Sequence, residues 1–383
     1  MKVALLTHHW VPNFGANLQA LSSYLWFKKN NCYIEILNYQ PRFLKDFYQK
    51  SIPNMQYNIH SNFCEQKLTL SPLLETEDEI VKYCEESPFD LIVSGSDSIF
   101  CLNKEGSTHE GAFPNPFWLQ WVKNRLTYSC KSAILAGSCT GSMFLTFPKS
   151  LKQQIRKTIR SYDFVSVRDH WTKYMFQFIS RGAISPCLCP DPVSVLNDHL
   201  NCENHMQSKY FLLSIPPRYS KIFSYLWIEE FVKAANAEGY QVFSLPLPSQ
   251  ELNYPVNKVI PLPLDSLMWY NWIRYSSGII SDRFHPILCA LFNNVPFICI
   301  DNNAQKCMSL FYMRSRSKQY ELTSMFGLSD RCLLERELFS LTPHKAITFL
   351  MQNEYYIHND KIDKYKKCFN QCLNSILDLL PCS

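Results

Sequence analysis

The chain has 383 residues, 46% of them hydrophobic, which is enough to bury the cores of two ordinary domains. Its formal net charge of +5 is too small to indicate a nucleic-acid partner and suits an anionic substrate or an anionic membrane surface. The sequence has no apolar run of about 18 residues that would span a membrane, and it opens on a strand-like segment, not on an export signal. The 16 cysteines are therefore expected to be reduced, nearly all of them serving as small buried apolar side chains.

The first predicted elements are a strand over 3–6, a polar loop over 8–17, a helix from about 18 to 29 and a strand over 33–37. Gly15 in the loop allows a backbone to approach a ligand closely, and the free amides of a helix start can hold an anion. A loop that only turns the chain is the alternative interpretation.

Residues 40–75 show no clear period and are predicted to form a long irregular insertion. The strand predicted over 89–93 ends in a turn of small residues at 94–98. Asp97 in this turn either brings a carboxylate to a ligand at the sheet edge or caps the turn itself.

A basic amphipathic helix is predicted over 149–162, after a strand at 131–135. Its basic face could dock on anionic lipid head groups, although such a face is more often simply solvated. Arg168 follows a strand at 164–167, a position that faces either the solvent or the ligand edge of the sheet.

The polar segment 199–208 reads as a linker. We predict an N-terminal α/β domain at 1–198, a C-terminal α/β domain at 209–342 and a helical segment at 343–383.

The most informative stretch is a predicted strand-helix-strand unit over 278–301. Its first strand, 278–281, leads into a polar turn that carries Arg283 and His285, and Pro286 suits the first turn of the following helix. Ligands of open α/β sheets bind beyond the carboxyl ends of the strands. A fixed cation and a titratable imidazole at that edge suit an anionic substrate that must exchange a proton.

The candidate site therefore combines residues from both predicted domains, all at the carboxyl ends of strands. The chain carries no H-E-x-x-H pattern and no acidic cluster at short spacing, so no metal or other cofactor is expected. Two arginines match a carboxylate and a phosphate, and a histidine and an aspartate can supply acid and base. These residues are Asp97, Arg168, Arg283 and His285, together with the loop of Asn13 and Gly15.

Five short motifs, in order along residues 1–310, resemble the polysaccharide pyruvyl transferase family. They are Asn13-Phe14-Gly15-Ala16-Asn17-Leu18-Gln19-Ala20 (NYGA-x-LQA in the family), Ser94-Gly95-Ser96-Asp97 (GSD), Ser166-Val167-Arg168-Asp169 (SVRE), Asp191-Pro192 (DP) and Arg283-Phe284-His285 (R-x-H). The turn Gly137-Ser138-Cys139-Thr140-Gly141 stands where the family has an Ala-Ser-Phe-Gly-like turn.

The resemblance implies two Rossmann-like domains facing a cleft, a GT-B-like fold. It implies transfer of the enolpyruvyl unit of phosphoenolpyruvate (PEP) to two hydroxyls of a glycan sugar, giving a pyruvate ketal in bacterial surface polysaccharides. Arg168 and Arg283 would then converge on PEP and hold its carboxylate and phosphate. His285 would protonate the methylene carbon or assist phosphate departure, and Asp97 would orient or deprotonate an acceptor hydroxyl. The remaining substrate-binding residues would be Asn13, Gly15, Gln19, Ser96 and Ser138.

The partners implied are PEP and a sugar or lipid-linked oligosaccharide, with no nucleic acid. The implied location is the cytoplasm, with peripheral contact at the inner membrane surface if the basic helix binds lipid. Two alternatives remain open. One is a glycosyltransferase that uses a nucleotide sugar on the same architecture. The other is a non-catalytic glycan-binding relative, which Ser98 and Phe100 suggest because many family members have Gln and Trp there.

Overall fold

The predicted alternation of strands and helices folds into two parallel six-stranded sheets. The computed structural model describes residues 1–102, 111–140, 142–200, 209–301, 306–307, 311–312, 317–352 and 359–380. The first sheet has the order β2-β1-β3-β4-β5-β6. Its strands are β1 (Lys2–Leu6), β2 (Tyr33–Ile36), β3 (Leu91–Asp97), β4 (Lys131–Gly137), β5 (Phe164–Val167) and β6 (Cys187–Leu188). The helices around it are α1 (Phe14–Lys29), α2 (Arg42–Ser51), α3 (Asn54–Lys67), α4 (Glu77–Glu86), α5 (Gln120–Arg125), α6 (Lys149–Ile159) and α7 (His170–Ser180), and short 3-10 helices cover Pro116–Trp118, Phe144–Thr146 and Pro192–Asp198.

The second sheet has the order β14-β11-β10-β7-β8-β9. Its strands are β7 (Tyr210–Ser214), β8 (Gln241–Ser244), β9 (Lys258–Val259), β10 (Gly278–Ser281), β11 (Phe297–Ile300) and β14 (Cys332–Leu333), and β12 (Lys306–Cys307) and β13 (Phe311–Tyr312) form a separate antiparallel pair. Its helices are α8 (Tyr225–Ala237), α9 (Ser266–Arg274), α10 (Phe284–Phe292), α11 (Lys318–Met325), α12 (Glu335–Leu338), α13 (Pro343–Met351) and α14 (Asn359–Leu377), with 3-10 turns at Pro217–Tyr219 and Ser329–Arg331.

Both sheets have a point where the strand order reverses, and ligands of such folds bind at that point. In the first sheet it lies between β1 and β3, and in the second between β7 and β10. The central strands are fully buried, as parallel strands covered by helices on both faces should be. The predicted linker 199–208 lies mostly outside the described residues, and we propose the domain division there because the first sheet ends before it and the second begins after it.

The two C-terminal helices pack on different sheets. α13 packs on α8 and on β10 and β11 of the second sheet, whereas α14 returns to β4 and β5 of the first. Trp26 Nε1 donates to Asn370 Oδ1 at 2.8 Å, and Lys366 Nζ pairs with Asp198 at 2.6 Å. The predicted C-terminal helical segment is therefore two helices, and the second ties the end of the chain to the first sheet.

The expected irregular insertion at 40–75 is wrong, because it contains α2 and α3. The buried side chains of α3 include polar residues, which hide the helical period in the sequence. Gln56 exchanges two hydrogen bonds with the backbone of Leu264, at 2.9 and 2.6 Å, and His60 bonds to Asn17 at 2.5 Å. α3 therefore helps to join the two sheets.

The first helix also begins earlier than predicted, at Phe14, with Asn13 as its N-cap. The reason is burial on nearly every side, which removes the amphipathic pattern from its first turns. Phe14 stacks on Trp269 of α9, with ring centroids 5.2 Å apart. Because this contact joins the two halves of the molecule, the start of α1 is part of the domain interface.

Two arginines of the predicted basic helix bond to the end of α7, and three of its five cations, Lys149, Lys157 and Arg160, are exposed. Arg156 Nε donates to Ile179 O at 2.6 Å, and Arg160 donates to Ser180 O at 3.3 Å, both at the end of α7. A cation at a helix C-terminus is favourable because the last carbonyls have no helical partner. These contacts give two of the cations a structural role, and lipid binding by the exposed ones stays a prediction. Within the described residues, no helix combines the length and apolar character that crossing a membrane requires.

Most of the described cysteines are buried, as the sequence predicts for small apolar side chains.

Candidate functional site

A cleft of ≈ 470 Å³ lies between the carboxyl edges of the two sheets, at both points of strand-order reversal. From the first sheet it receives the start of α1, after β1, and the end of β3. From the second it receives the segments that follow β7 and β10. Its lining includes Asn13, Gly15, Asp97, Arg218, Asp282, Arg283, His285 and Lys318, with Phe14, Trp269 and Leu247 among the apolar members.

His285 reaches the cleft in direct contact with the first domain. A Cβ placed on Gly15 would overlap the imidazole of His285, so glycine is required there to admit the ring. The sequence-based reason for Gly15, a backbone approach to a ligand, is thus incomplete. On the other side, His285 Nε2 lies 3.7 Å from Asp191 Oδ2. Two residues of the first domain therefore hold the imidazole of the second domain in place.

Asp191 is the fully buried hub of the first domain's half of the site. Its Oδ2 accepts from Arg168 Nη1 at 2.6 Å and from Gln19 Nε2 at 2.8 Å, and its Oδ1 accepts from Val193 N at 3.0 Å. Burial alone would raise the pKa of Asp191, but the contacts with His285 and Arg168 outweigh it and hold the pKa low. Asp191 is therefore an anion that orients both Arg168 and His285.

Arg168 is placed differently from the expectation. Its side chain is only 2% exposed, and it bonds to Asp191 and, at 3.3 Å, to Asp97. Its guanidinium also lies over the ring of Phe284, 4.9 Å from the ring centroid. Arg168 is not among the residues that line the cleft, so the expected convergence of Arg168 and Arg283 on one anion-sized space is not what the structure shows. Arg168 lies outside the cleft lining and positions Asp97 and Asp191, and these two carboxylates already balance its charge.

Asp97 ends β3 and lines the cleft, with its side chain 16% exposed. Burial alone would raise its pKa, but the positive charges of Arg168 and Lys318 and the nearby His285 outweigh that effect and hold the pKa well below its usual value. A carboxylate with so low a pKa is a weak base but a good hydrogen-bond acceptor. Asp97 is thus better suited to orient a hydroxyl than to deprotonate it.

Among the described residues, three cationic side chains line the cleft. Arg283, the N-cap residue of α10, is exposed, and within the described part of the chain its guanidinium has no acidic partner at ion-pair distance. Arg218 is paired with the buried Asp282. Lys318 is half-buried, and its Nζ lies 5.1 Å from the ring centroid of Phe284. A cleft of this kind is suited to an anionic ligand.

The other predicted site residues lie at different depths. Asn13 lines the cleft, and its side chain accepts from Gly15 N at 3.0 Å as the helix cap. Gln19 and Ser96 are buried and bond to each other, and Ser138 donates to Asp169 at 2.6 Å. None of these last three lines the cleft. Their predicted contact with substrate stays untested, and their present contacts position Asp191 and the turn after β4.

Sequence reasoning missed Arg218 and Lys318 as cleft residues and assigned no role to Asp191. Arg218 follows β7, the strand at the reversal point of the second sheet, and its position after a strand was a usable signal. Lys318 had no such signal, because it begins a helix far along the chain. Among the described residues, no group of three or more His, Cys, Asp or Glu side chains is arranged to hold a metal ion.

Substitution of Gly15 with alanine should destabilise the protein by about 1–3 kcal/mol, because the new Cβ overlaps the imidazole of His285. In a His285→Gly background the same change should be neutral, or stabilising by up to about 1 kcal/mol, since alanine favours a helix over glycine. Urea unfolding of the four proteins measures both steps. An equal cost in the two backgrounds would show that His285 is not the residue Gly15 accommodates.

A model of the polysaccharide pyruvyl transferase family matches residues 13–304. No curated protein sequence matches the chain. Among solved structures, a putative UDP-N-acetylglucosamine 2-epimerase from Listeria monocytogenes is 12% identical, with 97% of this chain and 94% of that chain covered and a TM-score of 0.55. The UDP-GlcNAc 2-epimerase from Methanocaldococcus jannaschii is 13% identical, with 99% and 100% covered and a TM-score of 0.55. At such identities the likeness concerns the fold alone, and it confirms the two-domain, GT-B-like α/β architecture.

Proposed function

Because the chain belongs to the polysaccharide pyruvyl transferase family, we propose that it moves the enolpyruvyl unit of PEP onto two hydroxyls of a glycan sugar. The product would be a cyclic pyruvate ketal in a bacterial surface polysaccharide, and phosphate would be released. The observation that carries this proposal is the cleft in which the exposed cation Arg283 stands beside His285, with Asp97 facing them from the other sheet. The acceptor would be a free or lipid-linked sugar.

Binding of the donor requires cationic residues, because PEP carries a carboxylate and a phosphate. Arg283 offers a planar fork that suits a carboxylate. Arg283 is exposed as a residue, although desolvation in the cleft lowers the pKa of its guanidinium. Within the described residues it has no acidic partner at ion-pair distance, so a ligand need not displace an existing ion pair. Arg168 is reassigned from direct contact with PEP to positioning, since its charge is taken up by Asp97 and Asp191.

In the proposed reaction His285 gives a proton to the methylene carbon of PEP, and C2 becomes electrophilic. One sugar hydroxyl, oriented by Asp97, adds to C2. The bond from C2 to the phosphate oxygen then breaks, and the second hydroxyl adds to C2 and closes the ring. Of the two hydroxyl protons, one restores the proton that His285 gave to the methylene carbon, and the other leaves with phosphate. No atom changes its oxidation state overall through an outside partner, so the reaction needs no redox partner.

The test is phosphate release from PEP by the purified chain, with and without glycan acceptors carrying two neighbouring free hydroxyls. We expect release only when an acceptor is present, together with an acceptor mass increased by one pyruvate less one water. Calorimetry with PEP and with UDP- and GDP-sugars provides the second arm. Binding of a nucleotide sugar without binding of PEP would contradict the proposal and favour a glycosyltransferase, whereas binding of oligosaccharide alone would favour a non-catalytic glycan-binding protein.

A further inference from the structure

Lys318 is a cleft cation that lies beyond the segment matched by the family model, which ends at residue 304. Its neighbours fix its position from both sides. Ser317 Oγ donates to Asp301 Oδ1 at 2.7 Å, just after β11. Gln319 Nε2 donates to the backbone oxygen of Asp282 at 2.7 Å, just after β10. The start of α11 is therefore anchored to the ligand edge of the second sheet, and Lys318 stands at that edge.

The charge of Lys318 is not taken up by an ion pair. No carboxylate in the described residues lies within ion-pair distance of its Nζ, which lies over the face of Phe284. The same ring lies under Arg168, whose own charge is balanced by Asp97 and Asp191. Of the two cations at this ring, Lys318 is thus the one that lines the cleft and is open to a ligand.

We propose that Lys318 binds the phosphate group of the donor, while Arg283 binds its carboxylate; this assignment rests on the proposed function. A primary ammonium is a compact point charge that suits a phosphate, whereas the guanidinium fork matches the two oxygens of a carboxylate. Lys318 would also stabilise the negative charge that builds on phosphate as its bond to C2 breaks. It is then a catalytic residue that touches the leaving group.

The surroundings of Lys318 make this role dependent on pH. Burial and the charge of Arg168 lower the pKa of Lys318 to about 8, and the neighbouring carboxylates only partly oppose this. Among the described residues, the charged or titratable groups that interact electrostatically with it include Asp97, Cys101, Arg168, Asp169 and Asp191. The ammonium form is the majority form below about pH 8 and is lost above it, so phosphate binding should weaken as the pH rises through that value. PEP keeps its charge in this range because the second pKa of a phosphate ester is about 6.

Calorimetry at pH 7 and pH 9 with three probes tests the assignment: PEP, inorganic phosphate and pyruvate. For Lys318→Met we expect PEP binding about 10- to 100-fold weaker than that of the unmodified protein at pH 7. The unmodified protein should bind PEP more weakly at pH 9 than at pH 7, whereas the binding of PEP by Lys318→Met should not change between these two pH values. The binding of pyruvate should be the same for both proteins. Lys318→Arg should retain binding at pH 9, because its charge persists. Arg283→Ala should weaken the binding of both PEP and pyruvate, because the two share the carboxylate, and should leave the binding of inorganic phosphate unchanged. Lys233→Met, on the exposed face of α8, serves as the control for removing a lysine charge.

The outcomes separate this assignment from the function on which it rests. If the unmodified protein binds PEP and Lys318→Met binds it equally well, the assignment fails and the proposed function stands. If Lys318→Met weakens pyruvate as much as phosphate, Lys318 does not discriminate the two groups and the assignment also fails. If the unmodified protein binds neither PEP nor phosphate, the proposed function fails together with the assignment.

Discussion

Arg168→Ala is expected to lower the free energy of unfolding by about 3–5 kcal/mol, because it leaves Asp191 as a buried anion without its cation. Asp191 is fully buried, and Arg168 Nη1 lies 2.6 Å from it. Asp97 loses the same partner, at 3.3 Å. Urea unfolding at neutral pH, followed by circular dichroism, measures the loss.

The dependence on pH distinguishes a charge effect from a packing effect. Arg168 helps to hold the folded-state pKa of Asp97 and Asp191 below the unfolded value of about 3.9. A depressed carboxyl pKa contributes stability that is present above the unfolded value and is lost as the pH falls below it. The difference between the parent protein and Arg168→Ala should therefore shrink as the pH is lowered through about 4.

Arg125→Ala is a matched control, because Arg125 also pairs with two carboxylates but on the surface. It lies 2.7 Å from Asp78 and 3.2 Å from Glu77, and its side chain is 39% exposed. Exposed pairs of this kind contribute at most about 1 kcal/mol. A cost for Arg168→Ala as small as that for Arg125→Ala would mean that the charge of Asp191 does not depend on Arg168, and the central role of Asp191 in the site would be wrong.

The sequence was informative about the strands and about the ends of strands. The apolar run at 278–281 predicted β10 with its observed bounds, since a fully buried parallel strand is a continuous apolar segment. Asp97 could be placed at the ligand edge of the first sheet, and Arg283 and His285 at the ligand edge of the second, because each follows or ends a parallel strand of its own sheet. Their arrangement across a cleft was expected from the alternation of strands and helices in two domains, and the family resemblance implied the same architecture.

What the sequence could not give was the direction of long side chains. Arg168 and Arg283 occupy comparable positions after strands. Arg168 is nevertheless buried and forms ion pairs with two carboxylates, whereas Arg283 lines the cleft. The difference comes from Asp191, which is close to Arg168 in space although 23 residues separate them along the chain. Lys318 could not be predicted for a related reason. Its place at the sheet edge is fixed by hydrogen bonds from its neighbours to residues that follow distant strands.

Arg283→Ala is expected to reduce kcat/KM for PEP by about 10- to 100-fold, because it removes the charged hydrogen bonds to the carboxylate of the donor. The loss should fall mainly on KM if Arg283 holds the carboxylate equally in the ground state and the transition state. His285→Gln should instead lower kcat, since it removes a proton donor and not a charge clamp.

The stability of Arg283→Ala should stay within about 0.5 kcal/mol of the parent, because Arg283 is exposed and, in the described residues, has no ionic partner to lose. Acceptor-dependent phosphate release, measured at several PEP concentrations, gives kcat and KM, and urea unfolding gives stability. Arg283→Lys is the companion variant, since it keeps the charge but not the fork, and it should recover only part of the activity. Unchanged kcat/KM in a well-folded Arg283→Ala protein would remove Arg283 from the donor site, whereas a loss of activity matched by a loss of stability would reduce its role to a structural one.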